Sequence, residues 1–329
     1  DSSVTGVQTC ALPILLGTGS PLPDPRRAGP STLVRTDGAT LLVDCGRGVL
    51  MRLTAAGVLP PMLHGVLLTH LHSDHITDLG DVITTHWIMP PAPMPLHVWG
   101  PVGTSEVVAG VLASLAPDVR YRLAHHDDLT TPPDVRVTEV SPGDTFTVGT
   151  ATVRVGATDH RPVEPTVAFR VDDSGRSAVM GGDGVPCEGL DLLCAGADAY
   201  VQTVVRPELV SMVPNRRLHD ILDYHSSVED AARTAARAGV ATLVVGVVGT
   251  VIGTVLEGSK GLIAGALGTI IVLVFFSVGQ VVLGAVLKNN PQNAMLVAMT
   301  LYLVKIGVLL GLLLLLQDRK STRLNSSHT

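Results

Sequence analysis

Thr69-His70-Leu71-His72-Ser73-Asp74-His75 puts four side chains able to bind a metal within six residues, directly after an apolar run at 66–69 that reads as a buried strand. In an extended loop, residues two apart point the same way. His70 and His72 can therefore grip one cation, while Asp74 and His75, at the start of the following helix, turn toward a second. Ionised carboxylate and neutral imidazole suit Zn²⁺, and two such ions about 3.5–4 Å apart can share a hydroxide that is nucleophilic at neutral pH. The chemistry implied is hydrolysis. His64, His86, His97, His125, His126 and His219 lie outside the cluster and read as packed or solvated side chains.

The surrounding pattern is regular. Residues 32–36 and 39–43 read as strands around the Asp37-Gly38 turn, and 48–56 as a short helix stopped by Gly57. A helix is expected over 76–86, followed by a proline-rich crossing at 90–95 that excludes regular structure. Further strands are expected at 135–140, 145–148, 152–157, 167–171 and 177–180. A helix at 228–238, with Ser226 and Ser227 as candidate caps and Gly239 as its stop, leads to a buried strand at 240–245. Strand runs flanked by helices predict an α/β class, a layered sandwich.

Charge bounds the partners. Between residues 15 and 245, 26 acidic residues face 17 arginines and no lysine, a balance of −9 that repels phosphate backbones and argues against nucleic acid. Cys10, Cys45, Cys187 and Cys194 form no CxxC pair, which fits a reducing compartment, and no basic-then-apolar leader opens the chain. This portion is expected in the cytoplasm. Gly17-Thr18-Gly19 lacks the following helix a nucleotide loop needs, and Arg26, Arg27 and Arg47 read as solvated arginines.

His70-Leu71-His72-Ser73-Asp74-His75 resembles the HxHxDH signature of the metallo-β-lactamase-fold hydrolases. Leu16-Gly17-Thr18-Gly19-Ser20-Pro21, Gly29-Pro30-Ser31 and Val43-Asp44-Cys45-Gly46 are similar to the opening of the ribonuclease Z and arylsulfatase-like branch. The resemblance covers residues 15 to 245 and implies an αββα sandwich with two Zn²⁺ at one edge of its sheets. On that match His160 joins His70 and His72 at the first metal, Asp74 and His75 hold the second, and Asp183 bridges both. Catalytic roles fall to Asp74 and to His225, a proton donor near the leaving group, while Asp44 orients the ligands from behind. In one place the chain departs from the resembled pattern. There the last strand ends in Thr-His, whose histidine ligates the second metal; here 241–245 run into Gly246-Val247-Val248-Gly249, with no histidine between His225 and His328. The second site is expected to be weak and the activity impaired.

Composition changes at the same point. Residues 246–316 carry only Glu257, Lys260, Lys288 and Lys305 as charges, which lifts the mean hydropathy of the chain to +0.39. Residues 261–287 are uncharged and long enough, at about 40 Å of helix, to cross a hydrocarbon core of about 30 Å. A second span is expected at 295–316, containing Lys305, with 246–256 as a short approach. Arg319, Lys320 and Arg323 would share the cytoplasmic side with the hydrolase. The segment resembles the small ATP synthase I-type membrane proteins in hydropathy, and the ends, 1–14 and 317–329, resemble translated sequencing-adapter read-through.

The organisation expected is thus a leader at 1–14, a hydrolase domain at 15–245 cut short at its end, transmembrane helices at 246–316 and a tail at 317–329. Such a chain would be a fusion anchored in the cytoplasmic membrane. Its expected function is zinc-dependent cleavage of a small anionic ester, a phosphodiester or sulfate, and a homodimer is compatible with it. One alternative is a tRNA 3′-processing endonuclease like ribonuclease Z, set second because of the −9 balance and the lack of a basic Gly-rich arm. Another is a membrane accessory protein carrying an inactive passenger domain.

Overall fold

The computed structural model describes residues 12–247. Its two sheets come from two contiguous stretches of chain. The first runs in chain order through β1 (Leu12–Gly17), β2 (Ser31–Arg35), β3 (Thr40–Val43), β4 (Gly65–Leu67), β5 (Leu96–Gly100) and β6 (Val135–Glu139). β1 to β3 pair antiparallel and β3 to β6 parallel. Parallel neighbours need crossovers, and these are α1 (Val49–Ala55), α2 (Ser73–Ile76) with α3 (Leu79–Ile88), and α4 (Thr104–His125).

The second sheet begins with the antiparallel strands β7 (Thr145–Val148), β8 (Ala151–Ala157), β9 (Val167–Asp173) and β10 (Arg176–Met180). Helix α5 (Glu188–Cys194) crosses to β11 (Ala199–Val205), which runs parallel to β10. After α6 (Pro207–Ser211), β12 (Ser226–Ser227) and β13 (Thr242–Val247), separated by α7 (Val228–Ala238), both pair parallel to β11.

Strand residues alternate between faces, and the apolar positions sort accordingly. Leu41, Val43 and Leu67 share a central cluster with Val153, Phe169, Val171, Met180 and Val201 of the other sheet. Leu42 and Val66 instead join Val49 and Leu53 of α1 and Leu79 and Ile83 of α3. On the far side Ala168, Val179 and Tyr200 pack with Leu190 and Leu193 of α5 and Ala235 of α7. The order of layers is helix, sheet, sheet, helix, the expected αββα sandwich.

One buried carboxylate fastens the sheets where their hairpins turn. Asp173 accepts hydrogen bonds from the Gly38 N–H of the β2–β3 turn and from Thr150 Oγ1 of the β7–β8 turn. The opposite end carries the His70–His75 loop.

Several expectations are corrected. The helix expected over 76–86 is divided, because Cys45 N–H donates to His75 O and Gly48 N–H to the Asp78 carboxylate, pulling the chain onto the β3–α1 loop. Helix α4 was not anticipated: Val108, Val111, Leu112 and Leu115 pack on the core at helical spacing, but the alanines between them and Pro117 inside the helix blur that period in the sequence. Leu12, Pro13 and Ile14, inside the segment set aside as a leader, pair with Arg35, Val34 and Leu33.

The boundary drawn at 245 is crossed as well. Gly246 and Val247 pair with Thr203 and Val204 and complete β13. Among the described residues no helix is long and apolar enough to cross a membrane, so the membrane-anchored localisation is not upheld. The spans expected at 261–287 and 295–316, most of the approach at 246–256, residues 1–11 and the tail at 317–329 lie outside the described residues.

Candidate metal centre

The chemistry-bearing side chains sit where strands end. β4 runs through Leu68 and Thr69 into His70, β8 is followed by His160, β10 by Asp183, and His225 directly precedes β12. Three overlapping groups have ligand atoms within 4.8 Å of one another: His70, His72 and His160; His70, His75 and Asp183; His160, Asp183 and His225. Asp74 belongs to none of the three, but its buried carboxylate stands 3.9 Å from His75 Nε2. His64, His86, His97, His125, His126 and His219 take part in none of them.

Hydrogen bonds on the outer ring nitrogens aim the inner ones. The Asp44 carboxylate accepts from Thr69 N–H (2.8 Å), from Thr69 Oγ1 (2.9 Å) and from His75 Nδ1 (2.9 Å). Because the Thr69 hydroxyl proton goes to Asp44, its oxygen accepts from His70 Nδ1 at 3.0 Å. One carboxylate thereby fixes two imidazoles. His160 Nδ1 donates to Tyr224 O (2.9 Å) and His225 Nδ1 to Ile221 O (3.0 Å). Each of these four rings presents Nε2 inward, where His70 Nε2 lies 3.1 Å and His160 Nε2 3.5 Å from His72 Nδ1.

With the His72 proton on Nε2, three lone pairs face one another and call for a cation between them. Donors bound tetrahedrally at about 2.0–2.1 Å stand about 3.3 Å apart, so the His70, His72 and His160 nitrogens are spaced for a cation such as zinc. Two buried polar atoms without hydrogen-bond partners point the same way. His75 Nε2 lies 3.3 Å from Asp183 Oδ2 without hydrogen-bond alignment, and Asp183 Oδ1 has no partner. The donor set fits a bound metal.

Electrostatics follow from burial. Burial, reinforced by His75, pushes His70 down to about 2. Burial also opposes charge on His75, yet Asp183 and Asp44 raise it well above the ordinary histidine value. Burial raises Asp183 too, but His75 and His225 hold its carboxyl well below the usual carboxylate range. For His225 burial is again outweighed, here by the 3.1 Å hydrogen bond to Asp183 Oδ2, and its value rises. Asp183 is an anion gripped by two imidazoles.

Sequence reasoning named every side chain in these groups and missed two supports. Thr69, the relay from His70 to Asp44, sits inside the motif and was legible as a hydroxyl beside a ligand. Gln202 gave no signal. It is 1% exposed, and its amide donates to Gly182 O (3.0 Å) and Thr203 O (3.1 Å) beneath the Asp183 turn.

Comparison with known proteins gives the same picture. The β-lactamase superfamily domain matches residues 39–246. The chain is 58% identical over 232 residues to a ribonuclease Z of Mycolicibacterium gilvum, covering 70% of this chain and 81% of that one. It is 59% identical over 232 residues to a ribonuclease Z of Mycolicibacterium paratuberculosis, covering 83% of that chain. Among solved structures, YhfI of Bacillus subtilis, a metallo-β-lactamase-fold protein, is similar with a TM-score of 0.54 at 21% identity, over 71% of this chain and 85% of that one. The short form of human tRNase Z is similar with a TM-score of 0.53 at 23% identity, over 71% and 91%. These structural likenesses concern the fold.

Proposed function

The chain belongs to the metallo-β-lactamase superfamily as a metal-dependent hydrolase closely related to ribonuclease Z, and from that premise we propose that it cleaves RNA phosphodiesters at the 3′ end of precursor tRNA. The observation that carries this reading is 58% identity over 232 residues to a ribonuclease Z. It replaces the small ester as expected substrate and drops the sulfate ester. Net charge misled because it averages over the surface, whereas an RNA backbone meets only one face. Arg26, Arg27 and Arg52 line a hollow beside the end of β1, which shares Leu15, Gly17 and Thr18 with the cavity at Asp44 and His75.

In this reading residues 12–247 are the hydrolase domain. His70, His72 and His160 would hold one zinc, Asp74 and His75 a second, and Asp183 would reach both. Zinc when bound supplies Lewis-acid polarisation of the phosphoryl group and a water ionised near neutral pH. Asp44 keeps Nε2 of His75 free by accepting the hydrogen bond from its Nδ1, and Nε2 of His70 through the Thr69 hydroxyl, which donates to Asp44 and accepts from His70 Nδ1. His225 carries its proton at Nε2, against Asp183, and delivers it to the departing ribose oxygen. The second position is the weaker one, because among the described residues no histidine follows His225.

The test is a precursor tRNA with a 3′ trailer set against bis(p-nitrophenyl) phosphate. Scission at the end of the acceptor stem is expected, abolished by a chelator and reduced about 10²–10⁴-fold in kcat by His225→Ala. Efficient hydrolysis of the small diester with the precursor left intact would overturn the assignment.

A further inference from the structure

Asp183 stands at the meeting point of all the inward-facing groups, yet the turn that carries it is almost all glycine. Gly181, Gly182 and Gly184 flank it, and Gly182 has φ +66° with a Cβ position only 2.9 Å from Thr69 Cβ. Glycine lets the turn approach the metal loop so closely, and by itself leaves the turn unfixed. Something else must hold it.

Two side chains pin its carbonyls. Ser226 Oγ donates to Gly184 O at 2.7 Å. On the other side of Asp183, Gln202 Nε2 donates to Gly182 O at 3.0 Å, and Thr203 N–H lies 3.4 Å from the same oxygen. The amide cannot turn over, because Tyr200 donates its hydroxyl to Gln202 Oε1 at 2.6 Å. Tyr200 is fully buried and Gln202 is 1% exposed, so bulk solvent does not reach these bonds. A flipped amide would set its oxygen against two carbonyls and leave the phenol without an acceptor.

We propose that Gln202, locked by Tyr200, is a positioning residue that sets the Asp183 carboxylate for metal binding. The inference rests on the reading of Asp183 as a metal ligand, not on the identity of the substrate. Gln202→Met keeps the length of the side chain and removes its hydrogen bonds; Tyr200→Phe removes only the lock. Val153, fully buried on β8 and paired with Phe146 and Val171 rather than with any of these groups, supplies Val153→Ala as a control for lost core packing.

The measurement is zinc affinity of the full chain by competition with a chromogenic chelator, beside the melting temperature of the metal-free form. Gln202→Met should bind zinc about 10–100-fold more weakly, the range for losing a support behind a ligand. Tyr200→Phe should show a smaller loss in the same direction, which keeps the test open should Gln202→Met not fold. Val153→Ala should lose melting temperature and keep its zinc affinity within about twofold. In RNA cleavage the fall should appear in kcat with KM little changed. Wild-type zinc affinity in both polar variants, or an equal loss in Val153→Ala, would refute the proposal. A wild-type chain that binds zinc but spares RNA would sink the substrate reading alone, with the zinc comparison still deciding on Gln202.

Discussion

Asp44 shows how much a single residue can govern. It sits at φ 61°, in the left-handed region that asparagine and aspartate tolerate better than other side chains, and its two oxygens serve Thr69 and His75 together. Asp44→Asn preserves that backbone preference but sets an amide N–H₂ against a donor. Zinc affinity should fall about 10–100-fold while the fold is kept, as measured by metal competition alongside circular dichroism. Undiminished affinity would mean that His70 and His75 are aimed by other means. Of the site's residues, His70, His72, Asp74 and His75 were legible because contiguity in an extended loop forces convergence. His160, Asp183 and His225 carry no local spacing and became readable only through family resemblance. Gln202 was invisible, since a glutamine that acts by gripping a backbone carbonyl leaves no pattern along the chain.

Elements were legible in proportion to their amphipathicity. Helix α7 was read at its full extent, Val228–Ala238, because Ser227 caps Asp230 N–H and Gly239 takes φ +68° at its end. Helix α4 hid, as its outer half covers little of the core. Pairing between elements was less readable, and the Asp173 clasp between hairpins is an example. Burial pushes its carboxyl up, but hydrogen bonds from Thr36, Thr150, Gly38 and Ser174 outweigh this and hold it below the ordinary aspartate value. A lowered carboxyl stabilises the fold above the unfolded value of about 3.9 and ceases to as pH falls through the folded one. Asp173→Asn should therefore cost about 1–2 kcal/mol at pH 7 and progressively less at pH 3, read from urea unfolding at both. A pH-independent difference would remove the carboxylate's charge from the account.

At the scale of the molecule, the donors divide between the sheets. His70, His72, Asp74 and His75 follow β4 of the first, and His160, Asp183 and His225 belong to the second. A bound ion therefore ties together two halves also joined by apolar packing, the Asp173 clasp and the Val167 N–H to Thr69 O hydrogen bond. Zinc at about 100 times its dissociation constant contributes about 2.7 kcal/mol, which corresponds to about 5–11 °C for a domain of this size. Chelation should lower the melting temperature by that much and added zinc should restore it, with about one ion tightly held per chain. An unchanged melting temperature would show that the ion does not bridge the sheets. The domain boundary drawn at 245 failed at this scale for a physical reason: Gly246 and Val247 continue β13 beside β11, and a Val- and Gly-rich run serves a buried strand as readily as the start of an apolar helix.

The same division has a meaning during synthesis. A ribosome that has extruded everything up to residue 140 has made one sheet and the whole histidine motif, but no counterpart to close on it. Until the later strands emerge and dock, the nascent polypeptide holds only part of the donor set, kept incomplete by the order in which its parts are translated.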